Sequence, residues 1–244
     1  MNISESTALV TGANRGLGLS LVRLLREAGC KKIYAAARQP AELGAGVEYP
    51  VLLDITNPEQ VTAAAAQCHD VDLLINNAGI AKFTPLLAAL STDNARAEME
   101  TNYFGTMAMC RAFAPVLKRN GGGALVNVLS VVSWFNAPMQ GSYCASKSAE
   151  WSLTKAARFE LRSQGTRVIG VHAGYIDTDM TAALTLAKTS PDDIARRILA
   201  GIERGDEEIL ADERAQALRA ELLGDYGPFE AAMQQTWDRS RPSH

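Results

Sequence analysis

Thr7-Ala8-Leu9-Val10-Thr11-Gly12-Ala13-Asn14-Arg15-Gly16-Leu17-Gly18 is a short apolar run that breaks into a glycine-rich turn. A helical period follows through Leu19, Val22, Leu24 and Leu25 to Gly29, a natural helix stop. Lys32-Ile33-Tyr34-Ala35-Ala36-Ala37 then reads as a second strand and completes a βαβ unit. Glycine permits positive φ and close backbone approach. A pyrophosphate can rest on the amides at the start of such a helix, where the macrodipole favours an anion. Gly12, Asn14, Arg15, Gly16, Leu17 and Gly18 are therefore candidate cofactor-binding residues.

The same alternation continues along the chain. Val51-Leu52-Leu53-Asp54 reads as a third strand, with a helix beginning near Pro58. Asp72-Leu73-Leu74-Ile75 is a fourth, ending in Asn76-Asn77-Ala78-Gly79, whose amides can tie neighbouring strand ends together and leave space for a flat cofactor. A long helix is expected over 92–118 with Asn102 in its interior, either a satisfied amide or a ligand for a carbonyl or water. Ala124–Leu129 is a buried strand closed by Ser130. A helix runs from Tyr143 to about Gln164. Arg167–His172 is the sixth strand, followed by Ala173-Gly174-Tyr175-Ile176-Asp177-Thr178. His172 has no partner that would suggest a triad or a metal. Strands alternating with helices imply an α/β chain with a parallel, doubly wound sheet. No linker, repeat or low-complexity stretch precedes residue 205, so 1–244 reads as a single domain. Residues 205–244 form an atypical C-terminal end: Glu207–Asp212 looks like a last strand, followed by helices through Ala215–Leu223 and Phe229–Trp237.

The 244 residues carry a net charge of −3 and no basic tract, which argues against nucleic acid as a partner. Cys30, Cys68, Cys110 and Cys144 show no close pairing, and with three histidines the chain lacks the tight clusters that metals need. They read as free thiols in a reducing compartment. The polar, acidic N-terminus is not a signal peptide, and no apolar run reaches membrane-spanning length. A cytoplasmic protein without membrane partners is expected.

In NAD-specific folds of this type an acidic residue ends the second strand and binds the ribose diol. That place holds Ala37, followed by Arg38, and Arg15 sits inside the glycine turn. Both cations suit a 2′-phosphate, so NADP(H) is the expected cofactor. Asp54, with Ile55 beside it, is either an acceptor for an adenine amino group or an N-cap for the next helix.

Tyr143 and Lys147 stand four residues apart at the head of a helix, hence on one face. A free phenol has a pKa of about 10. A nearby ammonium favours the phenolate and lowers it, so the expectation is an acidified tyrosine able to pass a proton to or from a substrate oxygen. Ser130, at a strand end, can share that oxygen.

Thr11-Gly12-x-x-x-Gly16-x-Gly18, Asn76-Asn77-Ala78-Gly79, Asn102, Ser130, Tyr143 and Lys147, in this order and spacing, resemble the short-chain dehydrogenase/reductase family in its short single-domain branch, over roughly residues 6–204. The resemblance implies a Rossmann-type fold and hydride transfer with NAD(P)(H). It implies Tyr143 as acid/base, Lys147 as pKa modulator and ribose ligand, Ser130 as substrate-oxygen anchor and Asn102 as holder of a relay water. It also implies cofactor contacts from Asn77, Ala78, Gly79, Gly174, Ile176 and Thr178.

Two departures stand out. Ala173-Gly174 replaces the family's frequent Pro-Gly, and Asp179–Ser190 is short for a substrate lid, while the usual glycine-rich C-terminal strand is missing. A short lid implies an open pocket tolerant of bulky substrates, with Trp134, Phe135, Met139, Tyr175 and Met180 as candidate walls, each of them alternatively a core or interface residue. The expectation is an NADPH-dependent carbonyl reductase, reversible as an alcohol dehydrogenase, acting on a small-molecule carbonyl or alcohol and forming a homo-oligomer, dimer or tetramer. The alternatives are a non-catalytic NADP(H)-binding sensor on the same fold and an epimerase or dehydratase, for whose sugar-binding part the chain is too short.

Overall fold

The computed structural model describes residues 1–43 and 47–240; the last four residues of the C-terminal extension lie outside it. Seven strands form one parallel sheet: β1 (Thr7–Thr11), β2 (Lys32–Ala37), β3 (Tyr49–Leu52), β4 (Leu73–Asn76), β5 (Ala124–Val128), β6 (Arg167–His172) and β7 (Glu208–Leu210). Their order across the sheet is β3-β2-β1-β4-β5-β6-β7. Every residue of β1, β4 and β5 is buried, which is why these strands read as near-continuous apolar runs. Strand β3 ends two residues earlier than its apolar pattern suggested, so Asp54 lies beyond the sheet.

Alternate residues of the central strands feed two cores. Val10, Ile75 and Val126 pack against α1 (Gly16–Glu27) and α6 (Pro191–Arg204). Leu9, Leu74 and Leu125 pack against α2 (Pro58–Gln67), α4 (Thr106–Arg119) and α5 (Gly141–Leu161). This is the doubly wound, Rossmann-type arrangement. The chain runs outward from β1 to β3 and then crosses back to β4, so strand order reverses between β1 and β4. A reversal of this kind opens a crevice outside the carboxyl ends of the two strands.

Three local expectations change. The helix expected over 92–118 is α3 (Asp93–Glu98), a π turn Met99–Gly105 and then α4. The π turn carries the fully buried Asn102. Helix α2 is capped by Asn57, whose side chain accepts from the amides of Glu59 and Gln60. Asp54 is therefore not the cap; its Oδ1 accepts from the amide and hydroxyl of Thr56. Strand β7 is only three residues long, because Asp212 leaves it to cap α7 (Glu213–Leu222) by accepting from the Ala215 amide at 2.7 Å.

The C-terminal extension is integral to the packing. Helix α7 and α8 (Gly227–Ser240) lie on the segment after β5, where Val131, Val132, Phe135, Ala215, Leu218 and Phe229 make a third apolar cluster. Phe135 and Phe229 meet edge to face at 4.8 Å between ring centroids. Phe135 is a core residue, and Trp134 meets His172 in a tilted arrangement at 4.3 Å between ring centroids. The four cysteines are free. Among the described residues no helix is long and apolar enough to cross a membrane, and no group of three His, Cys, Asp or Glu could hold a metal.

Phe229→Ala is expected to remove the aromatic anchor of α8 and lower the unfolding free energy by about 3 kcal/mol, measured by urea denaturation.

Candidate active site

The crevice floor is built by close backbone approach. Gly12 and Gly16 take φ of +64° and +52°, which side chains rarely adopt. A Cβ on Gly18 would stand 2.1 Å from the Gly12 carbonyl oxygen. Only glycine lets the first turn of α1 sit this close to the end of β1. Thr11 and Asn77 lock β1 to β4. The Asn77 and Ala78 amides donate to Thr11 Oγ1 at 2.9 and 3.0 Å, and Asn77 Nδ2 donates to the carbonyls of Thr11 and Gly12. Asn76 donates to Asn127 and Asn127 to Thr154, extending the tie to β5 and α5. The strand-end amides thus make the ties expected of them.

On the β2 side, Arg38 is exposed directly after the strand. Burial pushes the Asp54 carboxyl up, but the two bonds from Thr56 and the charge of Arg38 outweigh it and hold the pKa below its ordinary value. Ile55 is buried against the π turn, where Gly105 leaves it room. Arg15 reaches across to Asp179 at 3.4 Å, an exposed pair of little strength. Asn14 is tied to Glu42 at 2.8 Å.

Beyond β4 and β5 the polar candidates converge. Tyr143 and Lys147 lie in the first turns of α5, and Ser130 lies just beyond β5, where its hydroxyl donates to the Ala173 carbonyl at 3.5 Å and accepts from the Val132 amide. Lys147 Nζ donates to the Val128 carbonyl at 2.9 Å and to Glu150 Oε2 at 2.7 Å. Asn102 is a satisfied amide. It exchanges two 2.9 Å hydrogen bonds with the Ile80 backbone and donates to Ser146, which leaves its side chain no free hydrogen for a water. Gly79 lies between these groups: a Cβ there would stand 3.2 Å from Asn102 Oδ1 and 3.6 Å from Lys147 Nζ.

Lys147 pulls the Tyr143 phenol down as expected, but burial acts more strongly in the other direction. Burial raises the phenol pKa above its ordinary value; Lys147 and Ser130 pull it down, but Glu150 works against them. Glu150 was not among the residues singled out from the sequence. Its signal was there, seven residues after Tyr143 and on the same helix face.

The loop after β6 closes the crevice. Thr178 packs on Gly16, and Ile176 bridges to Thr189 at the base of the short lid. The Gly174 amide is taken by Asp212 Oδ2 at 2.7 Å, so the start of α7 is pinned to this loop. Arg214 lies over the Tyr175 ring, whose hydroxyl accepts from Gln140; Met139 and Met180 are exposed. His172 does have partners, contrary to the sequence reading. Its Nε2 lies 2.7 Å from Glu208 and its Nδ1 3.1 Å from Ser133. Ser133 is only 3% exposed, and its hydroxyl donates to the Ser130 carbonyl, so this array braces Ser130 rather than presenting a nucleophile.

The arrangement supplies an anion cradle beside a proton donor and a hydroxyl anchor, which suits transfer of a hydride and a proton to one polar double bond. Comparisons with known proteins agree with that chemistry. The family profile of the short chain dehydrogenases matches residues 6–189. The chain is 40% identical over 192 residues to galactitol 2-dehydrogenase (L-tagatose-forming) of Cereibacter sphaeroides, covering 73% of this chain and 74% of that one. It is 35% identical over 196 residues to 3-oxoacyl-[acyl-carrier-protein] reductase of Vibrio cholerae, covering 75% and 79%. A short chain dehydrogenase from Burkholderia cenocepacia, solved in complex with NADP, superposes with a TM-score of 0.92 at 42% identity, covering 96% of this chain and 99% of that one.

Gly18→Ala is expected to lower stability by about 1–3 kcal/mol, because its Cβ overlaps a backbone carbonyl rather than a movable side chain. Added NADPH is expected to raise the melting temperature of the wild-type chain and not that of the variant.

Proposed function

The chain belongs to the short-chain dehydrogenase family and is an oxidoreductase, and on that premise we propose that it reduces ketones or aldehydes with NADPH, running in reverse as an alcohol dehydrogenase. The observation that carries this reading is the convergence of the Tyr143 phenol, the Ser130 hydroxyl and the Lys147 ammonium beside the glycine cradle. Both named relatives act at a carbonyl–alcohol couple, one on a polyol and the other on an oxoacyl group, which supports the reaction type while leaving the substrate open.

When bound, the nicotinamide supplies or takes the hydride at the substrate carbon. The cradle of Gly12, Gly16 and Gly18 would hold the pyrophosphate on backbone amides, and Arg38 and Arg15 would meet the 2′-phosphate. The NADP complex of the Burkholderia cenocepacia relative supports this choice of cofactor. Asp54 and Ile55 would flank the adenine side, and Gly79, Ile176 and Thr178 the nicotinamide side. Ser130 donates to the carbonyl oxygen and polarises it. Tyr143 then delivers its proton to that oxygen, which leaves as the alcohol hydroxyl. The proton that Tyr143 delivers is the one its phenol carries at neutral pH, as any tyrosine does. Lys147 stabilises the phenolate left behind. Asn102 positions rather than reacts, tying the π turn to the Ile80 backbone. The exposed Phe104 and Phe159, with the long α5, support assembly as a homo-oligomer.

Tyr143→Phe is expected to cut turnover by about 10²- to 10⁴-fold while NADPH still binds, read by steady-state kinetics and by titration of cofactor fluorescence. Full activity in this variant would sink the assignment. A charge-assisted hydrogen bond contributes about 1.5–3 kcal/mol. Arg38→Ala is therefore expected to raise KM for NADPH roughly 10- to 100-fold and leave KM for NADH nearly unchanged. A wild-type preference for NADH would overturn the role given to the arginines.

A further inference from the structure

Tyr143, Lys147 and Glu150 form one stripe along α5, at helical spacings of four and three residues. Glu150 is 1% exposed, and its Oε2 lies 2.7 Å from Lys147 Nζ. Its Oε1 receives only a long bond, 3.4 Å, from the Thr106 hydroxyl. Burying such a pair is a poor way to stabilise a fold, because two apolar residues of similar volume are often as good or better. Stability alone therefore does not account for a carboxylate behind the lysine. What the carboxylate does change is the charge that the phenol sees. A bare ammonium would draw the proton off Tyr143; an ammonium already matched by a carboxylate draws it far less.

Resting on the function proposed above, we infer that Glu150 is a positioning residue for the Tyr143–Lys147 pair: it holds the ammonium from behind and returns a negative charge to the site, which raises the pH at which the pair gives up its proton. The other titratable groups facing this stripe do not compete for that role. Cys110 on α4 is pushed up to about 12 by burial and stays neutral. Glu98 on α3 accepts the Lys82 amide, and His172 on β6 is held by Glu208 and Ser133. The charges of Arg111, Lys118 and Arg119 on α4 stand exposed in solvent.

The sign follows from proton counting. Phenol with ammonium is the form that reduces a carbonyl. Loss of one proton, shared between the two groups as a coupled step, gives the form that oxidises an alcohol. A neighbouring carboxylate opposes that loss whichever group releases the proton. Removing its charge must therefore move the step to lower pH.

The test uses the full chain with saturating NADP⁺ and 1-phenylethanol, following kcat/KM against pH. In Glu150→Gln the rising limb is expected to move down by about one pH unit or more. In Glu150→Asp, which keeps the charge, it is expected to stay near that of the wild type. A titration of phenolate absorbance in the NADP⁺ complex, with Tyr143→Phe as the blank, is expected to show the same downward shift. Should Glu150→Gln not fold, Glu150→Met removes the same charge and takes the same titration. A limb that stays in place with only its height reduced, or one that moves up, overturns the inference and leaves Glu150 as packing. If the wild type turns over no alcohol or carbonyl, the proposed function fails, and the phenolate titration still decides what Glu150 does.

Discussion

The fold depends on one close contact, the approach of α1 to the end of β1 where Gly18 meets the Gly12 carbonyl. No residue with a Cβ can occupy position 18 without displacing backbone. That approach brings the start of α1 to the end of β1, beside the β1–β4 reversal. Thr11 and Asn77 then fasten the two strand ends with four hydrogen bonds, two of them to one hydroxyl. The same atoms thus fix the sheet and shape its anion cradle. A rigid floor lets a flat ligand be held without a large ordering penalty on binding.

A second layer of buried polar groups connects this floor to the proton-handling side. Asn76, Asn127 and Thr154 form a chain through the interior, and Asn102, Ser146 and Ile80 form another along the π turn. Buried amides and hydroxyls that satisfy one another are stiff, because breaking any bond strands a polar atom in low dielectric. Lys147 and Glu150 sit beside these chains, where a single charge has its greatest reach. The extra residue in the π turn is what lets Asn102 face α5 and Ile80 together; π turns of this kind often mark functional places.

The C-terminal end contributes to the site from outside the cradle. Asp212 caps α7 with one oxygen and holds the Gly174 amide with the other. Glu208 of β7 braces His172, which through Ser133 braces the Ser130 carbonyl. Two carboxylates from the atypical end thereby replace rigidity that a proline after β6 would have supplied. The Glu208 charge is compensated locally: burial pushes its carboxyl up, and its bonds to His172 and Arg158 more than reverse that.

Much of this was legible in the residues themselves. Strand, glycine turn and helix follow from apolar period and from glycine's freedom at positive φ, both local properties, so the sheet class, the cradle and the Tyr143–Lys147 pair could be read from residues 7–37 and 143–147. Local pattern misplaced what depends on competition between neighbours. Asn57 won the cap of α2 because it stands adjacent to the first turn, while Asp54 turned to Thr56. Phe135 became core once Phe229, far along the chain, packed against it. The protonation of Tyr143 was likewise beyond local reading. A spacing of four residues shows that an ammonium is near, but burial and the Glu150 carboxylate decide its net effect, and both are properties of the assembled interior. The sequence by itself determined which backbone could fold and which chemical groups were present; only the tertiary structure decided how much of each charge its neighbours feel, because desolvation and long-range pairing exist only once the chain has closed around them.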